Sequence, residues 1–303
     1  MKKVSMRIVL ILSLLLQLGT WDSILAKPLK EIPVSNVKIE QWVGRTFTFM
    51  ALPTDQQADG YEMFTVKQES QGFQGDRSLR IPYTEHVGKK VTVNEIVAFP
   101  AGDNQQEYMV YMTVQGTGEK LVGRSMRNQL EGLVLTADLE QARRQFLGKT
   151  IYPKFRELSG LAVSDGMIVP ASVPIKIGDP VTVIDVYIGN QLQQPIWLVV
   201  SVKGEKAVLP IAYSWTNAPI QSWGQNARWQ DFLFMEDPRI SLGGTLDLWN
   251  QIENGNIEEG MTKEQVYLSW GKPVRTDDND SIWIYGTNKL SFHGEILYSI
   301  EEI

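Results

Sequence analysis

Gly260-Met261-Thr262-Lys263-Glu264-Gln265-Val266-Tyr267-Leu268-Ser269-Trp270-Gly271-Lys272-Pro273 carries a short helix together with both of its ends. Thr262 stands three residues before Gln265, the spacing of a capping box: the threonine oxygen accepts a free backbone N–H and the glutamine side chain reaches back to the N-cap. The helix is therefore expected over Lys263 to Trp270. Gly271 suits a left-handed stop, and Pro273 forbids continuation. Val266 and Trp270, four apart, share one side. Upstream, Leu246, Trp249 and Ile252 fall on one face of another helix, which begins at Thr245 and ends at Asn254-Gly255. Downstream, Asp277 to Asp280 read as a turn. Ile282 to Tyr285 then form a strand with Trp283 and Tyr285 on one face. Lys289 to Phe292 pair through His293-Gly294 with Glu295 to Ile300, where Ile296, Tyr298 and Ile300 face one way. The expectation is two helices packed on a three-stranded antiparallel sheet, since neither layer can bury its apolar face alone.

Ahead of this module one pattern occurs twice. Gly44-Arg45-Thr46-Phe47, Val87-Gly88-Lys89-Lys90-Val91-Thr92-Val93 and Tyr108-Met109-Val110-Tyr111-Met112-Thr113-Val114 make the first copy. Gly148-Lys149-Thr150-Ile151, Ile177-Gly178-Asp179-Pro180-Val181-Thr182-Val183 and Ile196-Trp197-Leu198-Val199-Val200-Ser201-Val202 make the second. Each runs glycine-led strand, variable loop, Gly-x-x-Val-Thr-Val strand, then a longer aromatic and aliphatic strand. The first copy has the longer loop, with a Gln-, Ser- and Gly-rich stretch from Lys67 to Arg80. Val, Ile, Thr, Tyr and Phe fit a pleated, half-buried surface, and short strands separated by polar turns point to small barrels or sandwiches. A helix over Asp138 to Leu147, stopped by Gly148, separates the copies.

The Gly-x-x-Val-Thr-Val rhythm and strand count of the copies resemble bacterial SH3-like domains. Gly260 to Val266, Trp270-Gly271-Lys272-Pro273, Trp283-Ile284-Tyr285 and Phe292-His293-Gly294-Glu295-Ile296, with Trp249 to Gly255 before them, resemble the SmpA/OmlA (BamE-like) domain of bacterial envelope proteins. That second resemblance implies a place in outer-membrane assembly or envelope integrity. The typical member is a small lipoprotein anchored through a cysteine and has no barrels in front, whereas this chain has no cysteine. The expected fold is mainly β with an α+β C-terminal domain. A leader (1–26) and a tether (27–37) precede SH3-like copies at 38–137 and 138–216. A linker (217–244) then joins a BamE-like module (245–303).

Lys2, Lys3 and Arg7, an apolar run from Ile8 to Leu18 and small Ala26 read as a signal peptide cut after Ala26. The run is shorter than the ~20 residues of a membrane span. About 277 of the 303 residues then remain, and the formal charge of −6 becomes about −8, because the leader holds three cations and one anion. An acidic chain is a poor ligand for phosphate backbones, so nucleic acid is excluded as a partner. With zero cysteines there is no disulfide, no thiol nucleophile and no lipid-bearing residue. The expectation is an exported protein, periplasmic or secreted, that is not a lipoprotein.

Chemistry is sparse. His86 and His293 lie in different modules, and no cysteine cluster or His-x-x-x-His motif offers the three or four ligands zinc needs. Asp277-Asp278-Asn279-Asp280 has oxygen donors at alternate positions, but Ile282 and Asn288 stand where a calcium loop needs Gly and Glu. No metal, cofactor or catalytic residue is assigned. Of nine tryptophans, Trp197, Trp249, Trp270 and Trp283 lie among aliphatics and read as core. Trp215, Trp223 and Trp229 lie in polar sequence, where their rings could stack on sugars or grip a peptide; the alternative is that they staple the linker to its neighbours. The functional expectation is a non-enzymatic binding or scaffold protein of the cell envelope. Its copies would hold a peptide or peptidoglycan component, and its last domain would dock an envelope protein. An accessory role in outer-membrane protein assembly and an unrecognised carboxylate-based hydrolase are the alternatives.

Overall fold

A computed structural model describes residues 39–100, 106–125, 130–160, 172–214 and 229–303. The leader, the tether, Trp215 and Trp223 lie outside the described residues. Strands account for 41% of the described residues and helices for 23%, which makes the fold mainly β. Among the described residues no helix is long and apolar enough to cross a membrane.

The first sheet contains β1 (Thr46–Phe49), β2 (Met63–Thr65), β3 (Lys90–Pro100), β4 (Gln106–Val114), β5 (Lys120–Ser125) and β6 (Leu133–Leu135). Helical turns α1 (Glu69–Phe73) and α2 (Tyr83–His86) lie between β2 and β3, and α3 (Thr136–Phe146) follows β6. The second sheet contains β7 (Thr150–Pro153), β8 (Glu157–Gly160), β9 (Ser172–Pro174), β10 (Val181–Ile188), β11 (Ile196–Val202), β12 (Glu205–Ile211) and β13 (Leu233–Phe234). Strand orders are β2-β5-β4-β3-β1-β6 and β13-β7-β10-β11-β12-β8-β9. Read from β6 and from β13, the first six positions of the two sheets coincide, and every pairing is antiparallel.

The duplication reaches single hydrogen bonds. Gly44 N–H donates to Val93 O at 2.8 Å, and Gly148 N–H donates to Val183 O at 2.9 Å. The return bonds, Val93 N–H to Arg45 O and Val183 N–H to Lys149 O, measure 3.0 and 2.9 Å. Both glycines have positive φ, +80° and +73°, a backbone that glycine adopts without cost. Each Val-Thr-Val strand is followed at once by a register shift, between Val93 and Glu95 and between Val183 and Asp185. A bulge there bends the long strand and curls the sheet around its own core.

Each sheet buries a separate cluster. Phe47, Phe49, Tyr61, Val93 and Met112 centre the first; Phe146, Ile151, Val183, Leu198 and Leu209 centre the second. Helix α3 lies on the second sheet through Ala142 and Phe146, while the Thr136 hydroxyl shares a buried 2.8 Å hydrogen bond with Thr48 of the first. The linker expected over 217–244 is part of the fold where it is described. Trp229–Asp231 forms a helical turn and β13 closes the second sheet against β7. The short helix α4 (Pro238–Ser241) follows, capped by Asp237.

The C-terminal module contains α5 (Leu246–Glu253), α6 (Lys263–Trp270) and the strands β14 (Arg275–Asp277), β15 (Ile282–Tyr285), β16 (Asn288–His293) and β17 (Ile296–Glu302). The capping box is present with both arms: Gln265 N–H donates to Thr262 Oγ1 at 3.2 Å, and Thr262 N–H to Gln265 Oε1 at 2.8 Å. Three expectations are corrected. The sheet has four strands in the order β14-β15-β16-β17, because Arg275–Asp277, of which only Asp277 was expected in the turn, pairs with β15. Leu246 is 77% exposed, since it occupies the first turn at the free end of α5, and Leu248 packs inward with Trp249 and Ile252. Ile296, Tyr298 and Ile300 do not form a buried stripe. A register shift between Ser291 and Phe292 breaks the alternation, so Leu297 is the buried residue and Ile296 and Tyr298 are 43% and 49% exposed.

Candidate functional site

In the first copy the loop between β1 and β3 folds back over its own sheet. Tyr61 N–H donates to Ile81 O at 3.1 Å, and Ile81 N–H donates to Met63 O at 3.0 Å. The Tyr61 ring packs against Phe49 with centroids 4.6 Å apart, and its hydroxyl donates to Met50 O at 2.7 Å. Burial, with Tyr83 nearby, raises its phenol well above the ordinary tyrosine value. Asp76 caps the turn Arg77–Leu79 by accepting from Ser78 N–H at 3.0 Å, which sets Arg77 and Arg80 on the same side of the loop end. The result is a cleft of about 260 Å³ lined by Leu52, Gln56, Asp59, Tyr61, Glu62, Arg77, Arg80 and Glu131. Arg80 pairs with Glu62 at 3.2 Å. A shallower hollow between β1 and α3, lined by Arg45, Lys90, Gln115 and Glu140 among others, encloses about 380 Å³.

The equivalent place in the second copy is filled. Met50 N–H donates to Gly132 O, and Lys154 N–H to Phe232 O, each at 3.0 Å. These matched bonds equate Met50 with Lys154 and Gly132 with Phe232. Two residues on, Leu52 corresponds to Arg156; one residue back, Glu131 corresponds to Asp231. Arg156 Nη2 donates to Ile252 O at 2.6 Å, at the last turn of α5. Glu253, the last residue of that helix, accepts from Lys176 at 2.9 Å and from Arg239 at 3.2 Å, and Arg239 also donates to Gly178 O at 2.6 Å. Lys154 pairs with Glu264 of α6 at 2.8 Å. Burial opposes ionisation of Glu253, but the hydrogen bonds and charges of Lys176 and Arg239 outweigh it and hold its carboxyl below the usual range. Burial, aided by the Asp231 carboxylate, raises the Tyr267 phenol. Ile177 of the second copy is buried in the same cluster as Trp249, Ile252, Val266 and Leu290, with Phe234 packed against it. The second copy thus grips the cation-seeking C-terminal end of a helix with basic side chains.

Of the residues singled out in the sequence, Trp229 stands edge-on to Phe146 at 5.3 Å, half-buried against the second core. It is not brought to the cleft. His86 is buried beneath Phe49, with Nδ1 2.9 Å from Pro82 O and Nε2 3.1 Å from Glu119. His293 lies against Tyr298 at 4.0 Å. In the calcium-like turn, Asp280 accepts from Trp283 Nε1 at 2.6 Å and from Lys263 at 3.0 Å, so its oxygens already serve the fold. Among the described residues no group of three or more His, Asp or Glu side chains is placed to hold a metal. The cleft residues were missed in the sequence, although the extra length of the first-copy loop, which carries Arg77 and Arg80, was the signal for them. No protein-family model, curated protein or solved structure matches the chain.

Proposed function

We propose that this chain is a non-enzymatic binding and scaffold protein of the cell envelope, exported by its leader. Its two curled sheets act as SH3-like platforms for a peptide or cell-wall component, and its BamE-like C-terminal module docks an envelope protein. One observation carries this reading: the second copy holds another module of the same chain through Arg156, Lys176, Arg239 and Lys154, while the equivalent face of the first copy keeps a charged cleft. A duplicated frame with one face occupied and one cleft that no other described module lines suits a connector better than a catalyst. The outward Ile296 and Tyr298 add apolar surface to the module assigned to docking.

The test is co-sedimentation of the chain from Lys27 onward with purified peptidoglycan sacculi, beside a matched acidic control protein. Saturable retention in the pellet is expected. Retention no greater than the control would overturn the cell-wall part of the reading.

A further inference from the structure

We infer that the cleft of the first copy holds the end of a peptide chain bearing a carboxylate and an ammonium group side by side. This deepens the binding reading above and rests on it. The first support is positional. In the second copy the same place, defined by Arg156 and Asp231, receives the end of a helix: Arg156 donates to the last carbonyl groups of α5. In the first copy that place is defined by Leu52 and Glu131, and among the described residues no other module lines it. Leu52 cannot donate as Arg156 does. The guanidinium groups come instead from Arg77 and Arg80, on the longer loop of the first copy.

The second support is the charge left over. Arg80 and Glu62 neutralise each other at 3.2 Å. Arg77, Asp59 and Glu131 make no ion pair among the described residues. A cation and two anions outside any described ion pair thus face a common hollow. A simple anion would be drawn to Arg77 and repelled by Asp59 and Glu131; a simple cation meets the reverse. A residue carrying both charges satisfies both walls, and the guanidinium fork suits a carboxylate in particular. The third support is size. At about 260 Å³ the cleft falls below the ~300–1,000 Å³ typical of drug-sized ligand sites, and it suits a chain end rather than a whole cofactor.

The experiment is a titration of the ¹⁵N-labelled chain, followed by amide shifts, with three peptides. Ala-Ala-Lys with a free carboxyl terminus carries both charges on one residue. Its C-terminal amide lacks the carboxylate, and Ala-Ala-norleucine lacks the side-chain ammonium. We expect shifts at the amides of Leu52, Gly60 and Glu131, and binding about tenfold weaker for each of the two incomplete peptides, the usual scale for one lost charge-assisted hydrogen bond. Arg77→Ala should abolish the preference for the free carboxylate. The Asp59→Asn, Glu131→Gln double variant should abolish the preference for lysine over norleucine. Arg77, Asp59 and Glu131 are exposed, so these variants should keep the wild-type far-ultraviolet spectrum. Equal affinity for all three peptides, shifts confined to other surfaces, or no binding by Ala-Ala-Lys would each overturn the inference. Retention of Arg77→Ala on sacculi at the wild-type level, with no peptide discrimination by either protein, would remove the cleft and leave the broader function standing.

Discussion

Gly132 has φ of +80°, and a Cβ placed there would lie 2.6 Å from Cδ1 of Tyr61. Gly132→Ala should therefore overpack the first core and cost about 1–3 kcal/mol, to which left-handed strain adds roughly 1–2 kcal/mol. A urea midpoint unchanged from wild type would contradict this. Thr262→Ala, which removes one arm of the capping box, should cost about 1 kcal/mol in the same assay. The two sites differ in how readily they are read from sequence. Thr262, Gln265 and Gly271 lie within ten residues and declare their roles locally. Gly132 is constrained by a ring 71 positions earlier, and only the folded chain reveals the contact. The same holds for the cleft, whose Asp59, Arg77 and Glu131 come from three separate segments. For Trp229, which the sequence left between gripping a ligand and stapling the linker, the folded chain supplies a neighbour, Phe146.

Among elements, α5 is the joint between the second copy and the C-terminal module. Glu253 has a depressed folded pKa, so its contribution is fully present above the unfolded carboxylate value of 4.5 and is lost as pH falls through the lower folded value. Acid should therefore loosen α5 first. Hydrogen exchange at Trp249 to Asn254 should accelerate below about pH 4.5, relative to amides of β3 and β4, more in the wild type than in Glu253→Gln. Ile177→Ala is expected to cost about 2–5 kcal/mol, felt in the C-terminal module although the residue belongs to a loop of the second copy. Faster exchange confined to β10 and β11 would refute that placement. Strand existence was legible here, because Val-Thr-Val runs and alternating aromatics announce it. Two features were not. β13 is two residues long, too short for a period, and the bulge in β16–β17 reverses an alternation that looked uninterrupted.

At the scale of the molecule, the repeated order of strands shows two copies of one frame closed by different means. In the first copy the inserted loop supplies Tyr61 and Ile81 to its own core. In the second copy, Ile177 and Phe234 find their cover in the C-terminal module. A chain ending at Gly244 should therefore leave both residues uncovered, bind a hydrophobic dye, and unfold in two steps. The earlier step should belong to the second copy. A single transition at the full-length midpoint would show that neither copy depends on the C-terminal module. The frame was readable from repeated glycines and valines; the unequal closure was not, since it depends on which distant segment reaches the open side. The arrangement also sets an order of events for a polypeptide that emerges amino end first. The leading sheet has every strand by Leu135 and can finish at once, whereas its twin lacks β13 until Leu233 and its lining until the last strands arrive. The trailing half is thus the interval in which the nascent protein is most open to mispairing, and the one in which a folding helper would be worth most.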